Sequence, residues 1–401
     1  MGPPIDHARP AALRWARIAC LAAQQPRGST PGAAAVNDQQ PTPLAGAIPA
    51  PAPRVRYPSP MLIPAPPLSS LQQVAQGTPA RGARVLLYAD LEPVAAPGLM
   101  YRDTVSGPFR VFAYATNRAS SALGGVVAVQ NPGTSAVTVR IERLAYGGPA
   151  SAGQAFASGV NTVSRYLAST GAPTVTVGPG AIVLLAQTPQ ASPPGDTWTI
   201  MLDATPSGPL VVSVYAAQPG AGLVGTLLPA NGSPPHRGTW PGCDVTLGVT
   251  VPAGGAWLPY PPQPWYPGVD LGGASAVDGG VRAVNSGAWG FLWTITAAQA
   301  QRNAIAYIPD AGQGHFSTLV AALGGQVVQG IPGAADTYTG QAAVLGTTSA
   351  ARLVTTPDGG SYYPGALLWL PAPGLSGWQA AALAGAILAV SAGVALVVRG
   401  R

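Results

Sequence analysis

Between Arg84 and Trp369 the sequence never runs far without a Gly, Pro or Asn, and the stretches between these breaks are short and rich in β-branched residues. Such punctuation leaves little room for long amphipathic helices and specifies strands joined by tight turns. Runs at 84–88, 109–115, 126–129, 137–144, 174–177, 182–186, 198–203 and 210–216 read as eight strands of one β-sandwich. In one of them Val137, Val139 and Ile141 alternate with Thr138 and Arg140, the pattern of an antiparallel strand with one buried face. Asn131-Pro132-Gly133 and Gly178-Pro179-Gly180 supply turns. A helix interrupts this region, opening near Ser151 and spacing Phe156, Val160, Val163 and Leu167 by four, three and four, with Thr170-Gly171 as its stop. It is expected to lie across an open end of the sandwich. Ser106-Gly107-Pro108-Phe109 is echoed by Ser207-Gly208-Pro209-Leu210, each leading into a strand, but two short matches do not make a repeat array.

A second β region follows, with strands expected at 244–251, 280–283, 289–296, 304–308, 317–322 and 366–370. The fold class is therefore all-β: two tandem antiparallel β-sandwich domains, 84–220 and 223–369, with one short helix. Ahead of them, residues 1–83 read as a leader and a disordered or polyproline II spacer, since 26–81 is rich in Pro, Ala, Gln and Ser with little periodicity.

Trp378 to Val398 contains only Gln379 and Ser391 as polar residues and ends in Arg399-Gly400-Arg401. As a helix, 378–398 reaches across a hydrocarbon core of about 30 Å, and the terminal arginines place the tail in the cytoplasm and the body outside. The expected localisation is a single-pass cell-membrane protein, and the membrane is its first expected partner. Ala381, Gly385, Ala389 and Gly393 form a small-residue stripe that also arises by chance in such a helix. Leu370-Pro371-Ala372-Pro373-Gly374 resembles the sorting signal of sortase substrates, but Pro373 stands where that signal has Thr, so covalent wall anchoring is the lesser expectation. Residues 18–23 are a short apolar stretch for a signal segment, and export is inferred from the rest of the layout.

All 20 basic residues are Arg, and the net charge of +6 is spread singly along the chain without a basic run, so nucleic acid is not an expected partner. Cys20 and Cys243 lie in segments not expected to meet, which leaves no disulfide framework. The Asn231-Gly232-Ser233 sequon matters only on a eukaryotic secretory route.

Several short stretches resemble a group of uncharacterised secreted or surface proteins of Gram-positive bacteria, some of which carry a stalk module named after the amine-oxidase N-terminal domain. They are Leu99-Met100-Tyr101-Arg102-Asp103-Thr104-Val105, Val129-Gln130-Asn131-Pro132-Gly133, Gly147-Gly148-Pro149 and His236-Arg237-Gly238-Thr239-Trp240. The resemblance implies a pair of extracellular β domains and carries over no catalytic or binding residue. The stalk module itself has no copy here.

Reactive groups are sparse: three histidines, two glutamates and twelve aspartates, with no GxSxG, HExxH, P-loop or CxxC motif. No catalytic residue, metal or cofactor is nominated. His236 and His315 read as solvated loop histidines, and Arg102 beside Asp103 as a pair that pins a loop. Trp257, Tyr260, Trp265, Tyr266, Tyr362 and Tyr363 sit beside Pro and Gly, where exposed rings could stack on sugars. Three roles follow: a structural or interaction protein of the bacterial surface, a cell-wall glycan-binding module using those aromatics, or a hydrolase without a recognisable motif. The partner is accordingly cell-wall glycan or another surface protein.

Overall fold

The computed structural model describes residues 61–371 apart from 152–154, 172, 231, 263–272, 286, 300–302, 310–318, 325, 331–340, 349–350 and 358–364. Three strands come first: β1 (Met61–Pro64), β2 (Gln72–Gln73) and β3 (Ala80–Arg81). Next are β4 (Val85–Val94), β5 (Gly98–Val105), β6 (Phe109–Asn117), β7 (Gly124–Gln130), β8 (Val137–Ala150), α1 (Ala155–Ala168), β9 (Thr174–Val177), β10 (Ile182–Gln187), β11 (Thr197–Pro206) and β12 (Leu210–Ala217). The rest are β13 (Arg237–Trp240), β14 (Asp244–Val251), β15 (Ala256–Tyr260), β16 (Ala274–Ser275), β17 (Val281–Arg282), β18 (Leu292–Gln299), β19 (Asn303–Pro309), β20 (Leu319–Leu323), β21 (Gln326–Gly330), β22 (Gln341–Thr348), β23 (Ala351–Thr355) and β24 (Gly365–Pro371). The chain is thus mostly β, as the punctuated sequence requires, and α1 is the one α-helix among the described residues.

A four-stranded sheet, β10-β7-β12-β5, faces an eight-stranded sheet, β17-β16-β13-β4-β6-β11-β8-β9, over a core that includes Val111, Val127, Val139, Trp198, Ile200 and Val214. The two Ser-Gly-Pro turns find their meaning here. One carries the chain from β5 in the smaller sheet to β6 in the larger, the other from β11 in the larger to β12 in the smaller, and β5 pairs with β12 while β6 pairs with β11. The echoed segments are therefore paired arches between the two sheets.

The second region holds two six-stranded sheets, β1-β22-β19-β24-β15-β2 and β21-β20-β23-β18-β14-β3. Strand β14 buries Val245, Leu247, Val249 and Val251 and turns the residues between them outward, the alternation its sequence shows. These valines share a core with Trp293 and Ile295 on their own sheet and with Leu258, Tyr307, Leu367 and Trp369 on the other. The same cluster takes in Tyr88, Phe112 and Met201 of the eight-stranded sheet.

Three expectations are corrected. Pairing is mixed and not purely antiparallel, since β4–β6, β14–β18 and β15–β2 run parallel. The break expected at 220–223 falls between β12 and β13, but β13 adds to the eight-stranded sheet beside β4, so the two regions share a sheet. Nor is 61–81 a free spacer. β1 pairs with β22 at one edge of a six-stranded sheet, β2 pairs with β15 at its other edge, and β3 pairs with β14 at the edge of the second six-stranded sheet. Residues 85–217 are thereby inserted between an N-terminal belt and the region it wraps.

Between β1 and β2 the belt crosses the outward face of the sheet, where Ala65, Leu68 and Leu71 pack on Ala304, Ala306, Ala342, Val344 and Leu368. Midway across, Leu68–Ser70 makes a single 3-10 turn, closed by the Ser70 amide on the Pro67 carbonyl at 2.9 Å and the Leu71 amide on the Leu68 carbonyl at 3.1 Å. Pro64, Pro66 and Pro67, with φ already fixed, lead into that turn. The same composition that reads as a spacer therefore serves as a strap.

Helix α1 also departs from its expected place. It lies on β8 and β11, and on its other side Val160 and Val163 pack with Val320 of β20. It is a wedge between the regions, not a cover on an open end. Its approach to β8 demands a missing side chain: a Cβ on Gly147 would run into the Ser158 carbonyl and the Thr162 hydroxyl. Among the described residues no helix is long and apolar enough to cross a membrane, and the expected span at 378–398 lies outside the described residues.

Candidate functional site

Of the six aromatic residues nominated by sequence, two are described. Tyr260 is fully buried, its ring edge-on to Tyr307 at 6.1 Å and its hydroxyl 2.9 Å from Thr355 Oγ1, so it ties the two six-stranded sheets together. It is not an exposed stacking ring, because β15 extends to include it and turns it toward the core. Trp257, one face over on the same strand, is half-buried against the strapped surface. Trp265, Tyr266, Tyr362 and Tyr363 lie outside the described residues. Tyr260 pairs with Gly365, so the segments that carry those four residues are joined to neighbouring strands at one end of one sheet.

The charged residues gather elsewhere. On the face of the eight-stranded sheet toward the second region, cross-strand partners Arg110 and Asp203 form a forked pair, Nε to Oδ1 at 2.7 Å and Nη2 to Oδ2 at 2.8 Å, with Arg110 wholly buried. Arg110 also donates to Asp244 Oδ1 at 2.8 Å and to the Gly290 carbonyl at 3.0 Å, both in the second region. Tyr166 of α1 donates to Asp203 Oδ2 at 2.6 Å, with its ring 5.4 Å from the Arg110 guanidinium. Alongside, Arg84 reaches Glu142 at 2.6 Å, Asp244 at 3.1 Å and the Phe109 carbonyl at 3.0 Å. Burial pushes the Asp203 carboxyl up, but the adjoining guanidinium of Arg110 outweighs it and holds the group below its ordinary range. Glu142 is likewise held low: burial is outweighed by the Thr205 hydroxyl and by Arg84. Cys243, buried beside Arg110, is a free thiol pushed up to about 12 by burial, and such a thiol is a poor nucleophile.

The same sheet face carries a second acidic spot, around Asp90 and Glu92, that no sequence motif marks. Asp90 lies beside Tyr114 across the β4–β6 ladder and accepts from Tyr88 at 2.7 Å, while Glu92 two residues on faces Thr116 at 3.4 Å. Burial pushes Asp90 up to about 7, the neighbouring Glu92 adds to the rise, and the Tyr88 hydroxyl partly offsets it. Its Oδ1 is buried with no hydrogen-bond partner among the described residues. Tyr88 stacks with Phe112 at 5.9 Å and Trp289 at 6.3 Å and meets Trp240 edge-on at 5.6 Å. The one available signal was the spacing Tyr88-x-Asp90-x-Glu92, which places all three on one strand face.

Arg102 does not pin Asp103. Neighbours on a strand point to opposite faces, and Arg102 instead reaches Ser213 at 2.9 Å and Tyr215 at 3.0 Å, while Asp103 accepts from Thr239 and Tyr101. His236 is half-buried, with burial lowering its ring below the usual range, and its carbonyl accepts from the Asp90 amide at 3.0 Å. His315 and Cys20 lie outside the described residues, among which no group of three or more His, Cys, Asp or Glu residues is placed to hold a metal.

No family model and no curated protein matches the chain. Solved structures that align with it include the CUB1-EGF-CUB2 region of human MASP-1/3, at 9% identity over 67% of this chain and 98% of that one, with a TM-score of 0.18. Another is a protein of unknown function from Pseudomonas syringae pv. tomato, at 12% identity over 72% of this chain and 99% of that one, with a TM-score of 0.12. At these TM-scores neither likeness bears on fold or activity.

Proposed function

We propose that the chain is a membrane-anchored bacterial surface protein with a non-catalytic structural or interaction role. The observation that carries this reading is how its few charges are spent. Arg84, Arg110 and Arg140 balance Glu142, Asp203 and Asp244 at the joint between two β regions, which stiffens a body and leaves those groups without free valence for chemistry. The apolar 378–398 stretch with its arginine tail supplies the anchor in this reading. Sheet geometry supports it as well. β24 ends at Pro371 level with Asn303, whereas β1 starts at Met61 level with Val344 and runs toward the Gln341 end, so chain enters β1 and leaves β24 at the same end of their shared sheet. A body joined at one end is suited to display the other.

Protease shaving of intact cells tests the reading, with one tag at the C-terminus and a second near residue 75. The expected result is loss of the internal tag with a protected, membrane-bound C-terminal stub. Protection of both tags on intact cells, with loss of the internal one after lysis, would make the body cytoplasmic and end the surface reading.

A second reading, cell-wall glycan binding, is favoured by one observation: the segments bearing Trp265, Tyr266, Tyr362 and Tyr363 are joined to the paired residues Tyr260 and Gly365, at the end of the sheet opposite the anchor. Replacing Trp265 and Tyr266 with Ala should then abolish retention on purified wall glycan while leaving the thermal transition unchanged. Unchanged retention would remove this reading.

A further inference from the structure

The N-terminal belt is short-stranded, peripheral and replaceable by an identical segment. β1, β2 and β3 occupy three of the four edges of the two six-stranded sheets, with four, two and two paired residues respectively. The belt's other described main-chain ties are the Gln76–Val249 bridge, Val74 N to Trp257 O at 2.9 Å and Gly77 N to Gly248 O at 3.2 Å. Beneath the strap, the outward face presents Ala304, Ala306, Ile308, Ala342, Val344 and Leu368 without a charged side chain among them. If the belt left, this apolar face and bare sheet edges would be exposed together, a combination that recruits another strand.

What the sheet reads in the belt is extended main chain at Met61–Pro64 and Gln72–Gln73 plus a few apolar contacts from Ile63, Leu68 and Leu71, which is strand addition supplied in cis. The partner that satisfies every one of those contacts is the same segment of another copy. Ala75 to Pro79, with Gly77 and Pro79 at its centre and end and, among the described residues, main-chain ties at the Gln76 bridge and the Gly77 amide alone, provides the hinge. We propose that residues 61–73 are an exchangeable clasp: the strapped sheet accepts residues 61–73 of a second copy in place of its own, joining two copies by reciprocal strand exchange. This is independent of where the protein resides.

Leu62 and Ala343 are cross-strand partners, within the span of a disulfide. The full chain is made as Cys20→Ser, in which Cys243 is buried and unreactive, with Leu62→Cys, Ala343→Cys or both. The double variant should oxidise to a monomer with a 62–343 bond, reporting the clasp closed in its own chain. An equimolar mixture of the two single variants, incubated below the unfolding transition, should yield a covalent dimer whose 62–343 bond maps to two chains by mass spectrometry. A mixture that stays free of that bond while the double variant oxidises in cis overturns exchange. A double variant that folds but forms no 62–343 bond overturns the seating of the clasp itself. Met61→Cys with Val344→Cys, the neighbouring pair, repeats the test should the first pair fail to fold.

Discussion

Asp203 and Asp90 project from the same face of one sheet into opposite surroundings. Arg110 and Tyr114, their cross-strand partners on β6, stand four residues or ~13 Å apart. Asp203 is met by two guanidiniums and a phenol, and its charge is stabilised in spite of burial. Asp90 is met by one phenol and by a second carboxyl, and its charge is opposed. The difference lies in what the second region brings to each spot. At one it delivers Asp244 and the Gly290 carbonyl, which balance a cluster of arginines. At the other it delivers Trp289 against Tyr88, which removes water without adding a cation. Burial alone therefore sets no sign; the charge balance at each contact does.

The sharpest way to break the comparison is to remove the cation that separates the two carboxyls. Arg110→Met keeps the apolar stem but leaves Asp203 and Asp244 to share Arg84, and loss of one partner of a buried pair costs about 3 to 5 kcal/mol. Chemical denaturation near neutral pH should show this as a shifted midpoint with a nearly unchanged slope. Adding Asp203→Asn should recover part of the loss, because one of the two carboxylates that then share Arg84 is gone. If Arg110→Met unfolds no earlier than the parent, the network is not what joins the regions.

How much of this was legible in the sequence depends on the range over which each residue's role is decided. Eight of the nine strands of the inserted region are readable as short apolar runs between Gly, Pro and Asn breaks, and β8 shows local alternation as well. β5 was missed as a strand, although its residues Leu99 to Val105 stood out for other reasons; its ladder to β12 carries a register shift that spoils the alternation. β15 is absent from the strands expected by sequence, because Pro259, Pro261 and Pro262 surround Tyr260. The strand tolerates Pro259 because β2 pairs only with Ala256 and Trp257, which leaves that side of the ladder open beyond them. The belt at 61–81 was read as a spacer because its partners lie more than 160 residues away and composition carries no trace of them. The candidate site divides the same way. Tyr260 was noticed for its neighbours, but its burial is a tertiary fact. Arg110 and Asp203, single charges inside apolar strands, gave no motif until the β6–β11 register set them opposite each other.

The comparison is sharpened by pH, since the two carboxyls should tilt stability in opposite directions. Asp203 lies below its ordinary value when folded, so its contribution is present above the unfolded value of 3.8 and is lost as pH falls through the folded one. Asp90 lies above its ordinary value when folded. The unfolded chain therefore releases that proton from about pH 4 upward while the folded chain holds it until about 7, and stability drains away across that window. The rise from 3.8 to about 7 sets a ceiling of about 4 kcal/mol on the penalty above pH 7, and relaxation around a half-buried side chain brings the measurable part to roughly 2. Asp90→Asn removes the ionisation while keeping an acceptor for the Tyr88 hydroxyl. Thermal unfolding of parent and variant from pH 4 to 9 should give nearly matching midpoints at the acid end and a widening advantage for the variant above pH 6. Parallel curves throughout would mean that Asp90 finds a cation or water that balances its charge, and the contrast with Asp203 would dissolve.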